Sequence, residues 1–266
     1  MSYQRHPGII ALAALLVALL DARSAHAQRT PWRWGAWVSG ALATPAASMR
    51  DLPGAPTCID SASRLAPDGG GALALGGEIG WRAGGDDPLE LSARVGLALG
   101  STAFAAQERI GESIDGGGRL HSTIVEYRSV VDLVELRIEP RALWHPTGML
   151  VVAVGPSLSL PLSVRYDQRE RLVAPSQATY ADGTAERAIA TGTIDDATSA
   201  WIGIGVSAGL EIEVARLLLV RPEIGGTLAV GSPLGDVDWH PHELRAGVAV
   251  LFGALEESTP IMPLPD

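Results

Sequence analysis

Between Trp201 and Glu213 the chain reads WIGIGVSAGLEIE. Every second residue from Ile202 is apolar: Ile202, Ile204, Val206, Ala208, Leu210 and Ile212. The residues between them are Trp201, Gly203, Gly205, Ser207, Gly209, Glu211 and Glu213. A period of two is the repeat of a β-strand, whose side chains point alternately to opposite faces, whereas a helix repeats every 3.6 residues. Such a strand needs one apolar environment along its whole length and a crowded, polar one opposite.

The pattern recurs along the chain. It predicts eight strands, over residues 32–43, 72–83, 89–100, 124–143, 149–165, 200–213, 217–230 and 242–253. Amphipathic helical periodicity is scarce, and no segment of the mature chain is apolar for long enough to make a transmembrane helix. Each predicted strand reaches the roughly 9–11 residues that a tilted strand needs to cross an outer membrane. Short and long connections alternate. GGDDP, WHPTG and VAR are short turns, while 44–71, 101–123, 166–199 and, less so, 231–241 are long. The expected fold is therefore all-β: an eight-stranded antiparallel up-and-down transmembrane β-barrel, with short turns at one end and long loops at the other.

Two barrels fit such alternation. A lipocalin-like barrel would turn its apolar face inward, and a membrane barrel would turn it outward. The polar face decides for the membrane, because it is rich in Gly, Ser and Ala, which suit a crowded interior. The apolar face is aliphatic and nearly uncharged, which suits lipid. The ionic residues of the small-residue face are then expected in the lumen. The arginines are Arg33, Arg82, Arg94, Arg137, Arg141, Arg165, Arg221 and Arg245. The glutamates are Glu78, Glu90, Glu135, Glu139, Glu211, Glu213, Glu223 and Glu243. The two sets balance. An unpaired buried charge is strongly destabilising, and eight-stranded barrels have interiors filled by side chains, so ion pairs are expected across a plugged lumen. Aromatics form two groups, expected as interfacial belts: Trp32, Trp34, Trp81, Trp144 and Phe252 near the short turns, and Phe104, Tyr127, Tyr166 and Trp201 near the long loops.

The N-terminus carries Arg5 and His6, an apolar run GIIALAALLVALL, and Ala25-His26-Ala27 before Gln28. That is a secretory signal peptide over 1–27. The barrel is expected over 28–253, and 254–266, which is proline-rich, as a periplasmic tail. Exported and carrying a formal charge of −10, the chain is a poor candidate for binding nucleic acid.

The stretch LVELRIEPRALWHPTGMLVVAVGPSLSLPLSVRY, with the later WIGIGVSAGLEIEV, RPEIGGTLAV and ELRAGVAVLF, resembles the PorT-like group of small outer-membrane β-barrels, which are similar to OmpA- and OmpX-type eight-stranded barrels. The resemblance covers most of 72–253. It implies an outer-membrane location and a meander barrel, and it transfers no catalytic residue. Such barrels often end at an aromatic residue that the assembly machinery recognises; here Phe252 is followed by GALEESTPIMPLPD.

Catalytic signals are weak. No lysine occurs, which removes lysine-based chemistry, and the single cysteine, Cys58, has no partner for a disulfide. His121 and Ser122, with Glu126 nearby, are the best candidates for a lipid-modifying site, but neighbours on a strand point to opposite faces. His240 and His242 with Asp236 and Asp238 read as a polar turn before they read as a metal site. No P-loop, dinucleotide fingerprint or CxxC pair is present. The expectation is a non-enzymatic outer-membrane barrel without cofactor or metal. Its role would be structural, or binding through the long loops. Its partners would be outer-membrane lipid, the assembly machinery and a loop ligand. A small passive pore is the alternative, and a lipid-modifying enzyme stands behind both.

Overall fold

The computed structural model describes residues 32–47, 65–82, 88–114, 118–194, 200–215, 217–233 and 239–253. The expected signal peptide over 1–27, Cys58, Asp236, Asp238 and the expected tail over 254–266 lie outside them.

Eight strands follow in order: β1 Trp32–Ala43, β2 Ala66–Arg82, β3 Leu89–Ile114, β4 Leu120–Trp144, β5 Leu150–Ala174, β6 Trp201–Leu210 continued by Ile212–Ala215, β7 Leu218–Ala229 and β8 Glu243–Phe252. Each pairs antiparallel with the next. β8 then pairs with β1, from Trp34 opposite Phe252 to Ala43 opposite Glu243, and closes the ring. Closure leaves no open edge within the ring, the condition for putting strand backbone in lipid.

The period of two explains the wall. In β6 the residues Ile202, Ile204, Val206 and Leu210 are exposed, while Trp201 is buried and Glu211 is buried just beyond. Leu73, Leu75, Ile79, Leu91, Val95, Leu97, Ile224, Leu228 and Leu244 likewise point outward. Opposite them, Glu78, Arg94, Arg137, Glu139 and Arg221 are between 1 and 4 % exposed. A globular protein in water would show the reverse arrangement.

Four strands run further than their apolar pattern predicts; β2 begins at Ala66 rather than at 72, and the other three are longer still. β3 has 26 residues, and β4 and β5 have 25 each. At roughly 3.3 Å per residue that is about 80 Å, around twice the path of a tilted strand through a bilayer core. The predicted long loop at 101–123 is therefore largely strand, and that at 166–199 begins as strand through Ala174. An extra strand, Glu186–Thr193, also pairs with the upper part of β5. Here both faces of the sheet carry polar residues, so alternation of hydropathy fades although the ladder continues.

One register shift matters for the interior. Glu135 lies opposite Pro161 and Val134 opposite Ser163, so Leu162 has no partner in β4. This bulge inverts the phase of β5. Below it Ser157 and Ser159 face inward; above it Val164 is buried and Arg165 exposed. Arg165 is thus not a lumen residue, contrary to simple alternation. Glu213 is corrected as well: it follows the break in β6 at Glu211 and is exposed at the short-turn rim.

Candidate functional site: the charge-paired lumen

The lumen is filled in two layers. The lower layer, toward the short turns, is ionic. Arg94 Nε donates to Glu78 Oε2 at 2.8 Å and its Nη2 to Glu223 Oε2 at 2.8 Å. Arg141 Nη2 reaches Glu78 Oε1 at 2.5 Å, and Arg221 donates to the same oxygen. Arg221 Nη1 also reaches Glu211 Oε1 at 3.3 Å. Arg33 Nη1 lies 3.0 Å from both oxygens of Glu211. Higher up, Arg137 joins Glu135 to Glu243, and Arg245 Nη1 meets Glu139 Oε1 at 2.5 Å. Arg94 also stacks its guanidinium over the inward-facing Trp37, 5.2 Å from the ring centroid.

The predicted lumen set thus comes together as a network for Glu78, Glu90, Arg94, Glu135, Arg137, Glu139, Arg141, Glu211, Arg221, Glu223, Glu243 and Arg245. Arg82 is half-buried on the inward register of β2 at the short-turn end, opposite Glu90 and with interactions of its own. Removal of Arg165 and Glu213 takes away one charge of each sign, so the balance survives. The strands carrying these groups are far apart in sequence, and their long side chains cross the bore toward small-residue walls. Two small voids, about large enough to hold water, remain along that wall. Glu139, Arg141, Gly155, Ser157, Gly205 and Ser207 line one, and Ser39, Glu223, Gly225, Arg245 and Gly247 the other.

The upper layer is apolar. Leu65, Phe104, Ala106, Val131, Leu133, Val164, Ile194 and Trp239 form one buried cluster, with Tyr166 packed against it. Phe104 and Trp239 meet edge to face at 5.6 Å. Trp201 Nε1 donates to Glu135 Oε2 at 3.2 Å. The expected upper aromatic belt is therefore corrected: Phe104, Tyr127 and Trp201 are between 0 and 7 % exposed and point into the bore. Their register is that of the lumen face, as Phe104 shares its phase with Arg94 and Ala98. The lower belt faces lipid as expected. Trp32, Trp34, Trp81 and Trp144 are exposed, and Trp34 stacks on Phe252 at 5.1 Å.

His145 is a residue of the ionic layer that was not singled out from the sequence; nor were the buried Trp37 and Trp239. It follows β4, is 7 % exposed and turns inward. Its Nε2 lies 3.3 Å from Glu90 Oε2, and its Nδ1 3.8 Å from Glu211 Oε2. The count that places Arg137, Glu139, Arg141 and Leu143 inward reaches His145 two residues later, which was the available signal.

Of the other candidates, Asp236 and Asp238 lie outside the described residues. His121 and Ser122 are neighbours on β4, opposite Ser113 and Glu112. Glu126 is engaged by Arg171 and Gln107. His242 Nδ1 accepts the backbone N–H of Ala229 at 3.1 Å and stacks on His240.

A closed ring with an aliphatic exterior and a charge-paired interior has the build of an outer-membrane barrel. The chain is an outer-membrane β-barrel. No protein-family model and no curated protein matches it. Among solved structures it is similar to Ail, the attachment invasion locus protein of Yersinia pestis, at 9 % identity, covering 84 % of this chain and 100 % of Ail, with a TM-score of 0.25. It is similar to Neisserial surface protein A at 13 % identity, covering 83 % and 97 %, with a TM-score of 0.28. The third is OprG of Pseudomonas aeruginosa, at 10 % identity, covering 86 % and 99 %, with a TM-score of 0.29. Likenesses this distant add no weight; the fold stands on the strand ladder itself.

Proposed function

We propose that the protein is a non-enzymatic outer-membrane barrel that acts through its exposed, long-strand end, as a structural element or by binding a partner there. The carrying observation is the double closure of its bore. A buried ionic network blocks the lower half, and the Phe104–Trp239 cluster blocks the upper half. A protein built to pass solutes has no use for both. The outward residues of the upper strands are instead polar and charged, such as Arg128, Arg169, Arg171 and Glu186. The resemblance of its later strands to PorT-like barrels supports the same reading. Its partners would then be outer-membrane lipid, the outer-membrane assembly machinery and a ligand at the loop end.

A second reading, a small passive channel, has one observation in its favour. The two voids lie side by side along the small-residue wall, where Ser157 and Ser159 hydroxyls have no hydrogen-bond partner. Recording of the purified barrel in planar bilayers separates the two. The plugged reading expects a quiet baseline with rare, brief events. Steady openings with ohmic conductance would replace it with the channel.

A further inference from the structure

Glu90 is the exception in the ionic layer. Glu78, Glu135, Glu139, Glu211, Glu223 and Glu243 each accept at least one aligned hydrogen bond from an arginine. Glu90 is 2 % exposed, yet neither of its oxygens has a hydrogen-bond partner; Arg33 Nη1 stands 3.2 Å from Oε2 without aligning. His145 Nε2, which faces that oxygen at 3.3 Å, is likewise buried without a hydrogen bond. Glu211 completes the group: one ligand atom from each of Glu90, His145 and Glu211 falls within 4.8 Å of the others. Three different strands or strand ends bring them to the short-turn mouth.

The chemistry of the set is that of a metal site. Zinc binds imidazole nitrogen and carboxylate oxygen at about 2.0–2.2 Å in a tetrahedron, whose donor-to-donor edge is about 3.3 Å. The separation of His145 Nε2 and Glu90 Oε2 matches that edge. A mixed imidazole and carboxylate set suits zinc-class cations better than calcium or magnesium, which favour oxygen alone. Gly80 supports the arrangement, since a Cβ there would collide with Glu90 Oε1. Arg33 now bridges the two carboxylates. It is the second residue of β1, so its head can leave without disturbing the ladder.

We propose that Glu90, His145 and Glu211 form a site for a divalent zinc-class cation at the short-turn mouth of the lumen, where the metal takes the place of the Arg33 guanidinium. His145 Nε2 and one oxygen from each carboxylate supply three positions, and the fourth is open to water. A cation there ties β3, β4 and β6 together at that mouth. The inference rests on the barrel and not on what the loop end binds.

The test uses the untagged, detergent-purified protein titrated with zinc chloride against a chelating dye. One zinc per chain is expected. Glu90→Gln and His145→Gln should each weaken binding at least tenfold. Arg33→Gln, which removes the competitor, should tighten it at least tenfold. Calcium and magnesium should not compete. Each variant is checked for the boiling-dependent band shift of a folded barrel. The unsubstituted protein loaded with copper(II) gives a readout that needs no variant: its electron paramagnetic resonance should show coupling to one imidazole nitrogen. Absent binding, zinc binding indifferent to Glu90→Gln and His145→Gln, an Arg33→Gln variant that binds no tighter, or coupling to two nitrogens would each overturn the proposal. The last would place the metal on His240 and His242.

Discussion

Arg137 and Glu243 are joined across the bore by two hydrogen bonds, Nη1 to Oε2 at 2.7 Å and Nη2 to Oε1 at 2.8 Å, although 106 residues part them. Arg137 also holds Glu135, its neighbour two residues earlier on the same face of β4. One guanidinium thus contacts two carboxylates that are 2 and 9 % exposed. Arg137→Met should cost about 3–5 kcal/mol, because both carboxylates stay buried without their cation. Urea unfolding followed by the loss of the boiling-dependent band shift measures it. Adding Glu135→Gln and Glu243→Gln to that variant should recover most of the loss. Failure of this triple variant to recover would mean that Arg137 acts through packing rather than charge.

Arg165 tests the bulge at Leu162. Exposed and outside the lumen network, it should tolerate Arg165→Ala with a stability change under about 0.5 kcal/mol. In a Cys58→Ser background, Arg165→Cys should react with a membrane-impermeant maleimide on intact cells, whereas Ser159→Cys, which is 0 % exposed in the lumen, should not. Deletion of Leu162 removes only the unpaired residue and joins Pro161 to Ser163, so Val164 should stay inward and Arg165 outward, with the labelling pattern unchanged. A deletion variant in which Arg165→Cys is no longer labelled would contradict this account.

The apolar layer should matter for stability more than for closure. Phe104 is 0 % exposed and Trp239 is 1 % exposed. Truncation of either to alanine should cost about 3–5 kcal/mol in thermal or urea unfolding. Neither single change should open a pore, since the ionic layer still blocks the bore beneath. Steady conductance from Trp239→Ala alone would show that the ionic layer leaks.

Asp182 supplies a pH prediction outside the membrane. It accepts the backbone N–H of Thr184 at 2.9 Å and its hydroxyl at 2.7 Å. The backbone hydrogen bond, then the hydroxyl, holds its carboxyl below the ordinary value of 3.8. A depressed carboxyl supports its turn above the ordinary pKa and withdraws that support as pH falls through the lowered one. The Thr184 amide should therefore keep its chemical shift down to about pH 4 and move only in more acid solution. An amide that titrates at or above 3.8 would refute the turn.

Much of this was legible residue by residue. Counting in twos from Ile202 assigns the lipid face of β6, and the same count places Arg94, Arg137 and Arg221 inward. It fails where the backbone departs from strict alternation. The unpaired Leu162 inverts the phase above it, and no hydropathy pattern shows that, because Val164 and Arg165 are plausible on either face. It also fails at the upper aromatics, where position along the strand suggested a belt and register decided for the bore.

What the sequence by itself determined was local: strands rather than helices, and two faces of opposite character. The pleat turns successive side chains to opposite sides, so these properties are written within a few residues. The tertiary structure alone decided the rest. Closure of β8 on β1 sets the shear of the ring, and that shear determines which glutamate each arginine meets across the bore. Glu243 reaches Arg137, and Glu90 is left beside His145, because residues distant in the chain are brought to the same height. No local pattern encodes that height.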